Sequence, residues 1–227
     1  MTRASAVGLL VLGACAIDNR KVKVSGACVT PPAGGLISDF SAARRGICPA
    51  GICSADLVGK PTVSLGVGDV MGLVYPYSSL GASFIALDVV STTSPGDAAS
   101  GQALRAEVDS RPSPTDASIA HEGFALYLID CLDASAYAGV RFTTDGDLGS
   151  CPLRFAVQFK GADGGTSVTP GVPVVAGTTT LGFADQRGAG GAAELGGMQW
   201  ELDLASDQPG GCVADFTLDD ITLVSNL

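Results

Sequence analysis

The stretch Leu153-Arg-Phe-Ala-Val-Gln-Phe-Lys160 alternates apolar and polar residues. In an extended chain successive side chains point to opposite faces, so Leu153, Phe155, Val157 and Phe159 share one face and Arg154, Gln158 and Lys160 the other. That pattern predicts a half-buried strand. Met198-Gln-Trp-Glu-Leu-Asp-Leu204 repeats it with Met198, Trp200, Leu202 and Leu204 inward, so Trp200 reads as a core residue. Working outward, further strands are predicted at residues 36–40, 62–77, 83–90, 102–109, 121–130, 139–143, 172–183 and 212–224. Asp145-Gly146 and Asp163-Gly164 offer turn chemistry between neighbours. No stretch carries a helical period with caps. The acids are 19 Asp and only 4 Glu, and there are only 4 Lys, a balance that favours turns over exposed helices. The expected fold is all-β, a two-sheet antiparallel β-sandwich of jelly-roll type.

A chain of 227 residues with 46% hydrophobic content can bury one sizeable core. Its 31 Gly and 12 Pro stay below the level of a low-complexity chain. Acids outnumber bases 23 to 13, giving a net charge of -10. That balance argues against a nucleic-acid partner, because neutralising phosphates takes clustered Lys and Arg.

The opening MTRASAVGLLVLGACA has one Arg followed by the apolar stretch Ala6 to Ala14. This is too short to span a bilayer and suits the apolar part of an export signal. Leu12-Gly13-Ala14-Cys15 resembles a bacterial lipobox, which implies a lipid on Cys15 as the first mature residue. Cleavage after Ala14-Cys15-Ala16 would instead release a soluble secreted protein, and a buried core segment is a third reading. The expected organisation is an export signal at residues 1–14, a lipidated Cys15 with a flexible tether to residue 34, and one sandwich domain at 35–227. Pro31, Pro32, Gly34 and Gly35 fit such a tether. Ala16 stands where an Asp often signals inner-membrane retention, which points to the outer membrane or cell surface.

Setting Cys15 aside leaves Cys28, Cys48, Cys53, Cys131, Cys151 and Cys212, an even set expected to form three disulfides in an oxidising compartment. Cys48-Pro-Ala-Gly-Ile-Cys53 can close a small loop by itself, and the other pairings stay open. A tetrahedral metal site is the weaker alternative, since the only His is His121.

Three fragments, taken in order, resemble one family. GLISDF (35–40), DASAYAGVRFTTDGD (133–147) and DFTLDDITLV (215–224) are similar to the opening, central and closing segments of galactose-binding-like jelly rolls, a fold common among carbohydrate-binding modules. The resemblance implies a two-sheet sandwich, a structural calcium ion, and glycan binding on the concave sheet or the loop ends. The chain departs from the pattern at Ser41, which follows Asp39-Phe40 where a Glu is common and so removes one acidic calcium ligand. It also has only 13 aromatic residues from which to build stacking platforms.

Asp219 and Asp220 interrupt the last strand: Phe216 and Leu218 share one face, yet Ile221 and Leu223 continue in the opposite phase. Either a bulge sits there or one carboxylate points inward, where it would need a cation or several donors. Calcium suits that need, with Asp39, Asp219 and Asp220 as the candidate ligands; a solvated bulge is the alternative. Asp145-Gly-Asp147 reads as a hairpin turn. Candidate carbohydrate-binding residues are Tyr127, Arg141, Arg154 and Gln158 with Lys160 on the polar strand faces, and Tyr75 and Tyr77, where Pro76 suggests an edge strand. Their alternative is an ordinary solvated sheet face. No catalytic set is expected: His121 has no G-x-S-x-G elbow to serve, and no acid sits in a pattern that raises its pKa. The sequence therefore points to a non-catalytic glycan-binding envelope protein, with a structural or adhesion role contacting protein as the alternative and a small glycan hydrolase after it.

Overall fold

The computed structural model describes residues 28–47, 61–67, 70–78, 84–92, 101–111, 122–160, 166–169, 171–184, 194–202 and 211–227. The strands are β1 (Leu36–Ser38), β2 (Arg44–Ile47), β3 (Pro61–Val67), β4 (Val70–Ser78), β5 (Phe84–Ser91), β6 (Gln102–Ser110) and β7 (Glu122–Asp133). They continue as β8 (Gly139–Asp147), β9 (Leu153–Lys160), β10 (Thr166–Val168), β11 (Val172–Pro173), β12 (Gly177–Gly182), β13 (Glu194–Leu202) and β14 (Cys212–Val224). One sheet runs β12-β8-β14-β6-β5 with β1 beside β14; the other runs β10-β9-β13-β7-β4-β3-β2 with β11 beside β9. All the paired strands are antiparallel. From β4 onward the chain passes repeatedly from one sheet to the other, the winding of a jelly roll. Among the described residues no helix is long and apolar enough to cross a membrane.

The inward faces follow the alternation in the sequence. Leu153, Phe155, Val157 and Phe159 of β9 meet Met198, Trp200 and Leu202 of β13 and Phe124, Leu126 and Leu128 of β7 in one core. Phe124, Trp200 and Phe155 are cross-strand partners in a single row. Trp200 stacks on Phe124 with centroids 5.1 Å apart, and Phe142 from the facing sheet meets it edge-on at 5.5 Å. Offset and edge-to-face contacts of this kind add about 0.5–1.5 kcal/mol each beyond area burial.

Several boundaries differ from expectation. The stretch 62–77 is a hairpin of two strands, β3 and β4, and 172–183 divides into β11 and β12. Pro76 is not on an edge strand: β4 lies between β3 and β7. Its ladder with β3 ends at Val74, so the missing N–H of Pro76 costs no sheet bond there. Asp145-Gly146-Asp147 is not a turn. β8 runs through it, pairing Gly146 with Phe216, because the long β14 keeps offering partners. Gly146 has a φ of 101°, and a Cβ there would lie 2.8 Å from Asp215 O. Asp163-Gly164 and His121 lie outside the described residues.

The tether expected to residue 34 ends earlier, since residues 28–35 are fastened to the sandwich. Val29 exchanges backbone hydrogen bonds with the Cys131–Asp133 segment, and Cys28 is joined to Cys131. A second disulfide links Cys151, in the connection between β8 and β9, to Cys212 at the start of β14. Cys15, Cys48 and Cys53 lie outside the described residues, as does the predicted export signal.

Candidate functional site

Strands β9, β13, β7 and β4 are neighbours, so their outward residues line up in rows across the face turned away from the core. One row runs Arg154–Glu201–Gly123–Tyr77, each residue the cross-strand partner of the next. The second runs Ala156–Gln199–Ala125–Tyr75, and the third Gln158–Gly197–Tyr127–Leu73. A bulge between Leu195 and Gly197 brings Gly197 into this register. The Phe124–Trp200–Phe155 row packs directly behind, between the first two rows, and fixes the spacing of the strands.

The rows differ in exposure. Arg154, Glu201 and Tyr77 are partly exposed. In the rows beside them Tyr75, Tyr127, Gln158 and Gln199 are only 1, 3, 2 and 2% exposed. Burial pushes the Tyr127 phenol up to about 12. Tyr75 and Tyr127 therefore do not form an open stacking platform; with the two amides they make up the buried second and third rows, a floor that continues the sheet face beside the first row.

The floor is hydrogen-bonded. Gln158 Nε2 donates to Gln199 Oε1 at 3.2 Å, and Gln199 Nε2 donates to Glu201 Oε2 at 3.3 Å. Arg154 Nη2 donates to the carbonyl of Gly171, which precedes β11. Gly123 leaves room for Tyr77 to cross β7: a Cβ at 123 would lie 2.7 Å from Tyr77 Oη. Beyond the first rows Lys160 Nζ pairs with Glu194 at 3.6 Å. A guanidinium and a carboxylate thus stand side by side on adjacent strands, and the Tyr77 ring reaches toward them across β7 with its hydroxyl buried, an arrangement that can donate to, accept from and stack against a polyhydroxyl ligand.

Six of the seven predicted binding residues fall on this face: Tyr75, Tyr77, Tyr127, Arg154, Gln158 and Lys160. Arg141 does not. It is exposed on β8 in the other sheet, opposite Thr180 and Thr222, because sequence alternation assigns a face without assigning a sheet. Glu201, Gln199 and Gly123 were not singled out from sequence. The alternation of Met198-Gln-Trp-Glu-Leu already put Gln199 and Glu201 opposite the core; only the register showed what they meet.

β1 pairs with β14 beside the bulge at Asp219-Asp220, so the expected calcium ligand Asp39 lies near both acids in the fold, but the carboxylate oxygens of the three do not all lie within 4.8 Å of one another. Among the described residues, the three ligand-bearing side chains with ligand atoms within 4.8 Å of one another are Cys28, Cys131 and Glu194, and the two cysteines are joined to each other. Asp39 Oδ1 accepts from the backbone N–H of Ser41 at 3.0 Å and its hydroxyl at 2.7 Å. Asp219 Oδ1 accepts from the Asp220 N–H at 2.8 Å. The interruption at Asp219-Asp220 is a bulge: the register with β8 shifts there, and Asp220 has a φ of 52°. Asp tolerates that left-handed conformation better than most residues. The bulge returns Ile221 and Leu223 to the core and lets β14 exchange β6 for β1 as a neighbour.

No family model matches the chain, and no curated protein matches it. Among solved structures it is similar to a family 11 carbohydrate-binding module from Clostridium thermocellum in complex with a β-1,3-1,4-mixed-linked tetrasaccharide. The identity is 16% and the TM-score 0.47, over 68% of this chain and 89% of that one. The xylan-binding CBM22-1 domain of Paenibacillus barcinonensis Xyn10C is 15% identical with a TM-score of 0.34, over 68% and 87% of the two chains. TmCBM61 in complex with β-1,4-galactotriose is 12% identical with a TM-score of 0.30, over 64% and 90%.

Proposed function

We propose that this protein is a non-catalytic glycan-binding module whose ligand lies along the row Arg154–Glu201–Gly123–Tyr77. The observation that carries the reading is the convergence of guanidinium, carboxylate and aromatic ring in one cross-strand row beside a buried floor. Planar polar groups hydrogen-bond sugar hydroxyls, and an aromatic ring offers a stacking face. The same reading places the domain at the cell envelope, attached through a lipid on Cys15, with the apolar stretch and Leu12-Gly13-Ala14-Cys15 as its support.

The test is affinity electrophoresis and calorimetry with mixed-linked β-1,3-1,4-glucan, xylan and β-1,4-galactan. Saturable binding to one of them is expected, weakened at least tenfold by Tyr77→Ala and by Arg154→Ala. No binding to any, or binding that both variants leave intact, overturns the proposal. For the anchor, mass spectrometry of a membrane fraction should find a diacylglyceryl-modified Cys15; an unmodified chain beginning at Ile17 overturns it.

A protein-contacting role is the second reading, and one observation favours it. On the outward face of the other sheet Phe84 and Val213, 57 and 64% exposed, flank Asp109 in one cross-strand row.

A further inference from the structure

The geometry points to Gln199 and Gln158 as positioning residues that hold Glu201 as a fixed acceptor in the binding row, an inference that rests on the glycan-binding reading. An ionised carboxylate only accepts hydrogen bonds. The Gln199 side chain must therefore turn its Nε2 toward Glu201, where the separation is 3.3 Å. Its Oε1 then faces the opposite way and requires a donor, which Gln158 Nε2 supplies at 3.2 Å. That leaves Gln158 Oε1 turned over Gly197, 3.6 Å from where a Cβ would stand. Amide oxygen and nitrogen are ordinarily interchangeable by a flip, but the carboxylate at the end of this chain removes the choice at both amides.

Burial gives the chain its stiffness. Both glutamines are 2% exposed, so water does not replace a lost bond, and flipping either amide would set N–H against N–H or oxygen against oxygen. Ala156 and Ala125 flank Gln199 in its own row and leave its long side chain room to lie along the sheet. Glu201 is thereby spared the rotamer search that an isolated surface glutamate makes on binding. A carboxylate held this way reads hydroxyl hydrogens, so the row selects its glycan by the position of a donor. Arg154, the cross-strand partner of Glu201, reads the hydroxyl oxygens beside it.

The test separates positioning from support of the fold. In the double variant Gln158→Met/Gln199→Met both members of the amide pair become apolar at similar volume, so neither is left orphaned and the melting temperature should stay near that of the wild type. Affinity for whichever of mixed-linked β-1,3-1,4-glucan, xylan or β-1,4-galactan the wild type binds should fall about tenfold. Wild-type affinity in a folded double variant overturns the inference. Should that variant not fold, Glu201→Gln gives an independent reading by NMR of the side-chain amides. A glutamine at 201 both donates and accepts, so the amide signals of Gln158 should shift although its bond is to Gln199. Unchanged Gln158 signals overturn the inference; Lys160→Ala, which alters only the neighbouring charge, should leave them in place. A wild-type protein that binds none of the three glycans overturns the binding reading alone, and the Gln158 signals still decide the amide orientation.

Discussion

Replacing Gly123 by Ala adds one methyl group where the sheet has no space for it. The new Cβ would lie 2.1 Å from the carbonyl oxygen of Trp200, 2.7 Å from Tyr77 Oη and 3.0 Å from the Cα of Glu201. Two of these three obstacles are backbone on the neighbouring strand, and that strand is not free to retreat. Trp200 is fully buried, with ring centroids 5.1 Å from Phe124 and 5.0 Å from Phe155, so moving β13 outward would open the aromatic block behind it. Overpacking of a dense site costs roughly 1–3 kcal/mol, and a backbone obstacle places this one at the upper end, about 3 kcal/mol. For a domain of this size each kcal/mol moves the melting temperature by roughly 2–4 °C, so a fall of about 6–12 °C is expected. The single Trp reports on the site itself, so urea and thermal unfolding followed by its fluorescence make a direct assay. Gly46→Ala is the control in the same sheet: nothing lies within 4 Å of its Cβ position and its φ is not positive. That change should leave stability equal or raise it by about 0.4–1 kcal/mol through the unfolded chain. If Gly123→Ala melts within about 2 °C of the wild type, the row spacing is not rigid and the account of the binding floor fails.

Four further outcomes are expected. Asp220→Val should destabilise by about 1–2 kcal/mol and Asp220→Gly should not, because the bulge holds residue 220 at a φ of 52°; chemical denaturation of the pair checks this. The Tyr127 phenol, raised to about 12 by burial, stays protonated in the folded state after the unfolded chain has begun to ionise near 10. Its contribution to stability is complete below pH 10 and lost as the pH rises toward 12, so Tyr127→Phe should flatten the alkaline fall in melting temperature and remove an absorbance step near pH 12. Arg105 chelates the carboxylate of Asp215 at 2.7 and 2.6 Å and holds it below the usual carboxylate range. The pair is exposed, so wild type and Asp215→Asn should differ only slightly in stability above pH 5, and the difference should close as the pH falls through the lowered value. Non-reducing peptide mapping should recover Cys28 linked to Cys131 and Cys151 linked to Cys212, and removing either pair should cost about 2–4 kcal/mol.

The class of fold was legible because alternation is a local property. Leu153 to Lys160 and Met198 to Leu202 each state which side chains face the core, and that assignment survives in the structure without a single exchange of face. The bulge at Asp219-Asp220 was legible for the same reason, as a phase error in one strand. What alternation does not encode is the neighbour. Arg141 and Arg154 are equally polar, outward residues of predicted strands, and only the order of strands puts Arg154 beside Glu201 and Arg141 in the other sheet, opposite Thr180 and Thr222. The same limit hid Glu201 and Gly123, which acquire their meaning from partners 47 and 46 residues away, Arg154 and Tyr77 respectively.

By itself, then, the sequence determined the all-β architecture, the inward set of each long strand and the residue types available to a binding face. Tertiary structure decided which strands are adjacent, which cysteines meet, and that Tyr75 and Tyr127 form a buried floor while Tyr77 stays partly exposed. The physical reason is that period and turn chemistry act over a few residues, whereas cross-strand register, disulfide geometry and side-chain burial are fixed by contacts between segments tens of residues apart.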